Sequence, residues 1–187
     1  MIRQLFLLIA VMLAMSCSTQ HVQPGKSLTT PLDPLASWRV LPFSNHSQTP
    51  LAGERVAALV LSAVRARGLP SIEPVVIPTG DLAELPLLDD GARFNKALEI
   101  ARSQEVAYAV TGSVEEWRYK AGLDGEPAVG LSLRVVEIAS GDTLWTSSAA
   151  RSGWSRESLT GNGQKVIGKL VNEMFAKSLW DRSKQTP

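Results

Sequence analysis

Hydrophobic and polar positions divide the chain into a greasy start, a polar stretch and a patterned remainder. Leu5 to Met15 is an unbroken apolar run behind Arg3. Its length falls short of the roughly 20 residues needed to cross a bilayer, and the charge-then-apolar order is that of a secretory signal. Ser18 to Ala36 is rich in Ser, Thr, Gln and Pro, which predicts an extended tether rather than a packed element. Trp38 to Phe43 then reads as a short strand, and Ser44 to Thr49 as a polar loop. Thr49-Pro50 has the form of a helix cap with proline in the first turn. Val56, Leu59, Val60, Ala63 and Val64 follow at helical spacing until Gly68. Ile72 to Pro78 predicts a second strand. Asp89 or Asp90 caps a second helix that buries Phe94, Ala97, Leu98 and Ala101. Tyr108–Tyr119, the alternating run Val129 to Val135, and Thr143–Ser152 are joined by Asp-Gly and Gly-Asp turns, the pattern of an antiparallel meander. Ser155 is placed to cap a last helix with Ile167, Leu170, Val171, Met174, Phe175 and Leu179 on one face. The fold class expected is α/β: a mixed sheet with an antiparallel meander and three helices packed on it.

Composition sharpens the start of the chain. The one cysteine, Cys17, stands directly behind the apolar run and has no disulfide partner within the chain. Ala14-Met15-Ser16-Cys17 resembles the lipobox of bacterial lipoproteins, with Leu13 one place early. That resemblance implies cleavage before Cys17 and acylation of its thiol. Ser18, where an Asp would suggest inner-membrane retention, directs the expectation to the outer membrane. The domain organisation follows: residues 1–16 signal peptide, 17–36 tether, 37–180 a single α/β domain, and 181–187 a frayed tail. Removing Arg3 from 19 Lys+Arg leaves 18 against 18 Asp+Glu, so the mature chain is near neutral and shows no basic surplus for nucleic acid.

Three constellations carry candidate chemistry. In Arg151-Ser152-Gly153-Trp154-Ser155-Arg156-Glu157, Trp154 sits where the last strand hands over to the last helix, outside any apolar period. An indole flanked by Arg151 and Arg156 suits a lipid headgroup layer. It also suits a ring folded back beneath an arginine. In Glu115-Glu116-Trp117-Arg118-Tyr119-Lys120, simple alternation puts Glu115, Trp117 and Tyr119 on one face. Trp117 and Tyr119 could form a subunit contact or aromatic belt, or belong to a solvated hairpin with cross-strand charge pairs. The third is Ser44-Asn45-His46-Ser47. A serine and a histidine admit a hydrolase in principle, but there is no Gly-x-Ser-x-Gly elbow and no acid placed to orient His46. Two histidines and one cysteine make no metal cluster, and no cofactor is expected. Trp38, Trp145 and Trp180 read as packing residues, with an interface role as the alternative for Trp145.

The segments Trp38–Phe43 with Asn45 and Thr49 to Gly53, Tyr108 to Lys120, Gly122 to Gly130, and Ser152 to Glu157 together resemble the PelC family, outer-membrane lipoproteins of the Pel exopolysaccharide export system. The resemblance implies a fold similar to the TolB amino-terminal domain and no enzymatic activity. It implies a ring-shaped homo-oligomer on the periplasmic face of the outer membrane, with an acidic funnel and an aromatic belt. The partners it implies are outer-membrane lipid, a cationic polysaccharide and an export channel, PelB in that system. The membrane-touching tryptophan of the family would correspond to Trp154. Asp124 and Glu126 are assigned to the funnel from their place in the hairpin turn. The alternative is a regulatory lipoprotein that binds and activates a cell-wall synthase.

Overall fold

Three long strands form the centre of the molecule, and the rest of the chain is arranged around them. The computed structural model describes residues 22–23, 31–78, 89–121, 125–154, 156–176 and 180. In chain order the elements are β1 (Val22–Gln23), β2 (Trp38–Val40), β3 (Ser44–Asn45), α1 (Ala52–Arg67), β4 (Glu73–Pro74), α2 (Asp90–Ser103), β5 (Tyr108–Tyr119), β6 (Pro127–Glu137), β7 (Thr143–Ser152) and α3 (Leu159–Met174). The sheet order is β1-β7-β6-β5-β2-β4, with β3 also paired to β5. β5, β6 and β7 are the antiparallel meander, while β2, β3 and β4 pair in parallel. The fold is α/β with a mixed sheet and three helices.

The helices divide between the two faces rather than sharing one. Val56, Val60 and Val64 of α1 and Val166, Ile167, Leu170, Val171 and Met174 of α3 pack with Val110, Val114, Leu131 and Val135. Ala97 and Ala101 of α2 pack with Leu41, Ala109 and Ile138 in a separate cluster. Val110 and Ala109 are neighbours on β5, so the clusters lie on opposite faces of the sheet. Trp38, Trp145 and Trp180 are all buried, as packing residues should be.

Local chemistry moves several boundaries. β2 stops at Val40 because Pro42 has no N–H to give the ladder; Thr111 donates instead to the Pro42 carbonyl at 2.7 Å, and pairing resumes at Ser44 opposite Ser113. Thr49 is not the cap of α1. The helix begins at Ala52 behind Leu51, whose φ of 57° is left-handed, and the Thr49 hydroxyl donates to the Trp117 carbonyl. Asp89 does cap α2, accepting from Ala92 N–H at 2.7 Å. The cap of α3 is Ser158, which accepts from Gly161 N–H at 3.0 Å; Ser155 and Leu179 lie outside the described residues.

Part of the stretch expected as a tether is laid against the domain. β1 pairs with β7, and Leu32 is buried and forms a parallel bridge with Trp180. Trp180 stacks on Phe175 and on Trp38, and its indole N–H donates to the Met174 carbonyl at 2.6 Å. Apolar Leu32 and the aromatic cluster provide the burial that the polar composition around them does not.

Candidate functional site

One end of the sheet gathers most of the candidate residues. Tyr119 ends β5 opposite Pro127, and Gly153 N–H donates to the Pro127 carbonyl at 2.8 Å. The β5–β6 hairpin and the β7–α3 turn therefore sit side by side. Trp154 projects from that turn with 73% of its surface exposed, the highest exposure of any large apolar residue among those described. Among the described residues no arginine stands over its ring, and at this exposure it is not folded back onto the sheet.

A tight turn holds the backbone under Trp154. Glu157 N–H donates to the Trp154 carbonyl at 2.8 Å, and Trp154 N–H donates to Glu157 Oε2 at 3.3 Å. Beneath it lies a polar network. Asn162 is 0% exposed; its Oδ1 accepts from Arg151 Nε at 2.7 Å, and its Nδ2 donates to Glu157 Oε2 at 3.1 Å. Lys165 Nζ lies 2.5 Å from Glu157 Oε1, and Arg151 Nη2 lies 3.4 Å from Glu157 Oε2. The hydrogen bonds from Lys165 and Asn162, with the positive charges of Lys165 and Arg151, hold the Glu157 carboxyl down to about 2 from its ordinary 4.5. Gly153 is required by this packing: a Cβ there would come 2.8 Å from Asn162 Oδ1 and closer still to Glu157. The turn is thus a fixed mount for an exposed indole.

The structure brings some predicted residues together and removes others. Arg151, expected beside lipid phosphates, is committed to Asn162 and Glu157 within the network. Arg156 is exposed. Tyr119 is 52% exposed, and its Oη accepts from Leu159 N–H at 3.1 Å, tying β5 to the first turn of α3. Trp117, expected at a subunit contact, is instead a core residue at 2% exposure. A bulge explains it. Val114 pairs with Leu131 and Glu116 with Gly130, so β5 carries one extra residue and the side chains beyond it change faces. Trp117 then stands opposite Val129 in the core, under Gly163 of α3. Glu126 lies 3.7 Å from Lys120, which offsets its charge locally. Asp124 and Cys17 lie outside the described residues.

Asn162, Glu157 and Lys165 carried no assignment in the sequence reading. One signal was present: Asn162 stands four residues before Val166, in line with the buried stripe of α3. A polar residue in an apolar stripe needs buried partners. The Ser-His loop is not an assembled nucleophile. Ser47 Oγ donates to Asn45 Oδ1 at 2.7 Å, and His46 is exposed, with its backbone N–H given to Val114. Among the described residues no group of three His, Cys, Asp or Glu is placed to hold a metal.

No family model matches the chain, and no curated protein does. Solved structures do. A PelC dodecamer from Paraburkholderia phytofirmans is similar at 30% identity and a TM-score of 0.66, covering 83% of this chain and 97% of that one. A point variant of the same dodecamer in another crystal form gives 30% identity and 0.66 over 84% and 97% of the two chains. Lipoprotein GNA1162 from Neisseria meningitidis shares the fold at 17% identity and a TM-score of 0.50, covering 74% of this chain and 97% of that one. The identity to the dodecamer subunit, sustained over nearly its whole length on the same mixed sheet, shows that this chain belongs to the PelC family.

Proposed function

We propose that the chain is a non-catalytic lipoprotein, anchored through Cys17 to the periplasmic face of the outer membrane. Copies assemble into a ring that guides a cationic exopolysaccharide to an outer-membrane export channel. The observation that carries this reading is Trp154, exposed at 73% on a turn with its own internal latch. An aromatic side chain of this size removes about 150–250 Å² from water when covered. At about 25 cal/mol/Å², half-immersion is worth about 2 kcal/mol per subunit. That is weak alone and substantial when acyl chains already hold the protein at the surface and each copy repeats the contact. Arg156 supplies the phosphate contact, since Arg151 is occupied. The PelC relatives are dodecamers, which supports assembly, and a single 20.2 kDa subunit is too small to enclose a conduit. Acids repeated around one rim would concentrate and steer a polycation through many weak contacts. Glu126, beside Lys120, contributes a partly offset charge to that field.

The test compares the full-length chain with Trp154→Ala in cells that make the polymer, with oligomer size measured by sedimentation. Assembly of the wild-type chain, and loss of export in a folded Trp154→Ala protein, is the expected result. A wild-type monomer that co-purifies with a cell-wall synthase, or normal export by the variant, overturns the reading.

A further inference from the structure

α1 and α3, which pack on one face of the sheet, start at the same end of the molecule. Tyr119 Oη holds the first turn of α3 through Leu159 N–H, and the Thr49 hydroxyl, just ahead of α1, donates to the Trp117 carbonyl. Their far ends also meet: a Cβ on Gly68, behind α1, would lie 3.6 Å from Cε1 of Phe175, behind α3. Both helices therefore begin where β5 ends, beside the Trp154 turn. Leu51, the residue that opens α1, belongs to that end. It is two residues from Thr49, and Tyr119 is two residues beyond Trp117, each step spanning at most about 7 Å. Tyr119, Pro127 and Gly153 follow one another across the strands, so the Trp154 turn stands about 10 Å, or two strand spacings, to the other side.

Leu51 is 62% exposed, and its backbone is left-handed at φ 57° and ψ 22°. Glycine and asparagine adopt that conformation readily, whereas leucine does so against steric resistance. Burial does not offset the strain here, yet the backbone is fixed. The Thr49 carbonyl accepts from Asn45 Nδ2 at 2.8 Å, Asn45 Oδ1 accepts from Ser47 N–H at 3.1 Å, and the Leu51 carbonyl accepts from Arg55 N–H at 3.2 Å. An apolar side chain is thus held out from a latched turn, as Trp154 is. The parallel extends to charge. Arg55 stands one helical turn behind Leu51 on the same side of α1, where side chains lean back toward the helix start. Arg55 and Arg156 are exposed, and among the described residues neither has an ion-pair partner. Three acids of this end are already engaged: Glu116 with Arg118, Glu126 with Lys120 and Glu157 with Lys165. Of the five exposed large apolar side chains among the described residues, Leu51, Tyr119 and Trp154 share this end. Leu35 lies at the opposite one, beside Asp33 and the start of β2, where Trp38 pairs with the first residue of β5.

We propose that Leu51 is a second membrane-entering side chain, with Arg55 behind it for lipid phosphate. The domain then meets the bilayer through a surface that runs from Leu51 past Tyr119 to Trp154, rather than through one indole. Two insertion points on rigid mounts fix the tilt of each subunit, which a single tryptophan leaves free to pivot. This rests on the lipid-anchored reading above and adds the second contact and the orientation.

Quenching by nitroxide-bearing lipid tests it in the acylated full-length chain on mixed phosphatidylethanolamine and phosphatidylglycerol vesicles. Mass measurement first establishes that Cys17 is acylated, which leaves one introduced thiol for a nitrobenzoxadiazole fluorophore. Separate chains carry it through Leu51→Cys, Trp154→Cys or Leu35→Cys, the last being as exposed as Trp154 but at the far end. Quenching at position 51 should come within about twofold of that at 154 and exceed that at 35 by about fivefold, since only groups at headgroup level reach the quencher. Leu51→Asn gives a readout that needs no label. Its urea midpoint should equal or exceed the wild-type value, because asparagine suits the left-handed backbone and little packing is lost. Quenching at 154 without quenching at 51 overturns this proposal and leaves the reading above standing, whereas quenching at neither overturns both. A blue-shifted but unquenched fluorophore at 51 would set Leu51 against another subunit, and a lowered Leu51→Asn midpoint would set it in the domain's own packing. Either result refutes membrane entry by Leu51.

Discussion

Gly163→Ala and Gly168→Ala, two identical changes five residues apart on α3, should have opposite signs. Helix propensity alone favours alanine by about 0.8–1 kcal/mol at either place. Around Gly168 there is nothing within 4 Å of an added Cβ, so Gly168→Ala should gain most of that amount. At Gly163 the Cβ would come 2.6 Å from Trp117 Cζ3 and 3.3 Å from Cζ2, inside the reach of a buried ring. The ring has no easy retreat: Trp117 is 2% exposed, and its carbonyl is held by the Thr49 hydroxyl. An approach this close falls in the upper half of the overpacking cost of about 1–3 kcal/mol, so after the propensity gain the net change is a loss of about 1–2 kcal/mol. The assay is urea unfolding of the mature chain. With a slope of about 2 kcal/mol/M, Gly163→Ala should lower the midpoint by about 0.5–1 M and Gly168→Ala should raise it by about 0.4 M. In a Trp117→Phe background, where the ring is smaller, the Gly163→Ala penalty should shrink, since contacting residues couple. If Gly163→Ala stabilises as much as Gly168→Ala, α3 does not seat on Trp117. The Asn162–Arg151 contact that positions the Trp154 turn then loses its footing as well.

Further outcomes follow from the same contacts. Trp154→Ala should change unfolding free energy by less than about 0.5 kcal/mol, because most of the indole is already exposed, while vesicle flotation of the acylated protein falls. Glu157→Gln should be pH-sensitive in a defined direction. A carboxyl held at about 2 against an ordinary 4.5 stabilises the fold above pH 4.5, and that stabilisation is lost as pH falls through 2. The stability gap between wild type and Glu157→Gln should therefore be flat from pH 7 to 5 and close below that in acid unfolding curves. Trp180→Ala removes a buried ring stacked on Phe175 and Trp38 and should cost about 3–5 kcal/mol by urea titration, with faster proteolysis near Leu32.

Elements that announce themselves by period were legible. β5 and β7 occupy the spans read as strands between turn signals, the alternating run Val129 to Val135 lies within β6, and α2 starts at an expected aspartate. The departures each have a local cause. The start of α1 depends on Leu51 adopting a left-handed backbone, which an apolar residue does not advertise. Ser158, not Ser155, caps α3 because the residues between close the turn under Trp154. Trp117 was misplaced because one inserted residue in β5 inverts the alternation, and a bulge leaves no period in a single sequence. At the site, Trp154 stood out as an aromatic without apolar neighbours. Its latch did not, because Arg151, Glu157, Asn162 and Lys165 converge only when strand, turn and helix are folded together.

The central claim is that identical copies form a ring with the Trp154 end against lipid. Electron microscopy of the acylated full-length protein on vesicles tests it most directly. Closed rings lying flat on the bilayer, with Trp154 at the lipid-facing rim, are the predicted image. Particles that stay solitary at high surface density, or rings with that rim turned to solvent, would contradict it.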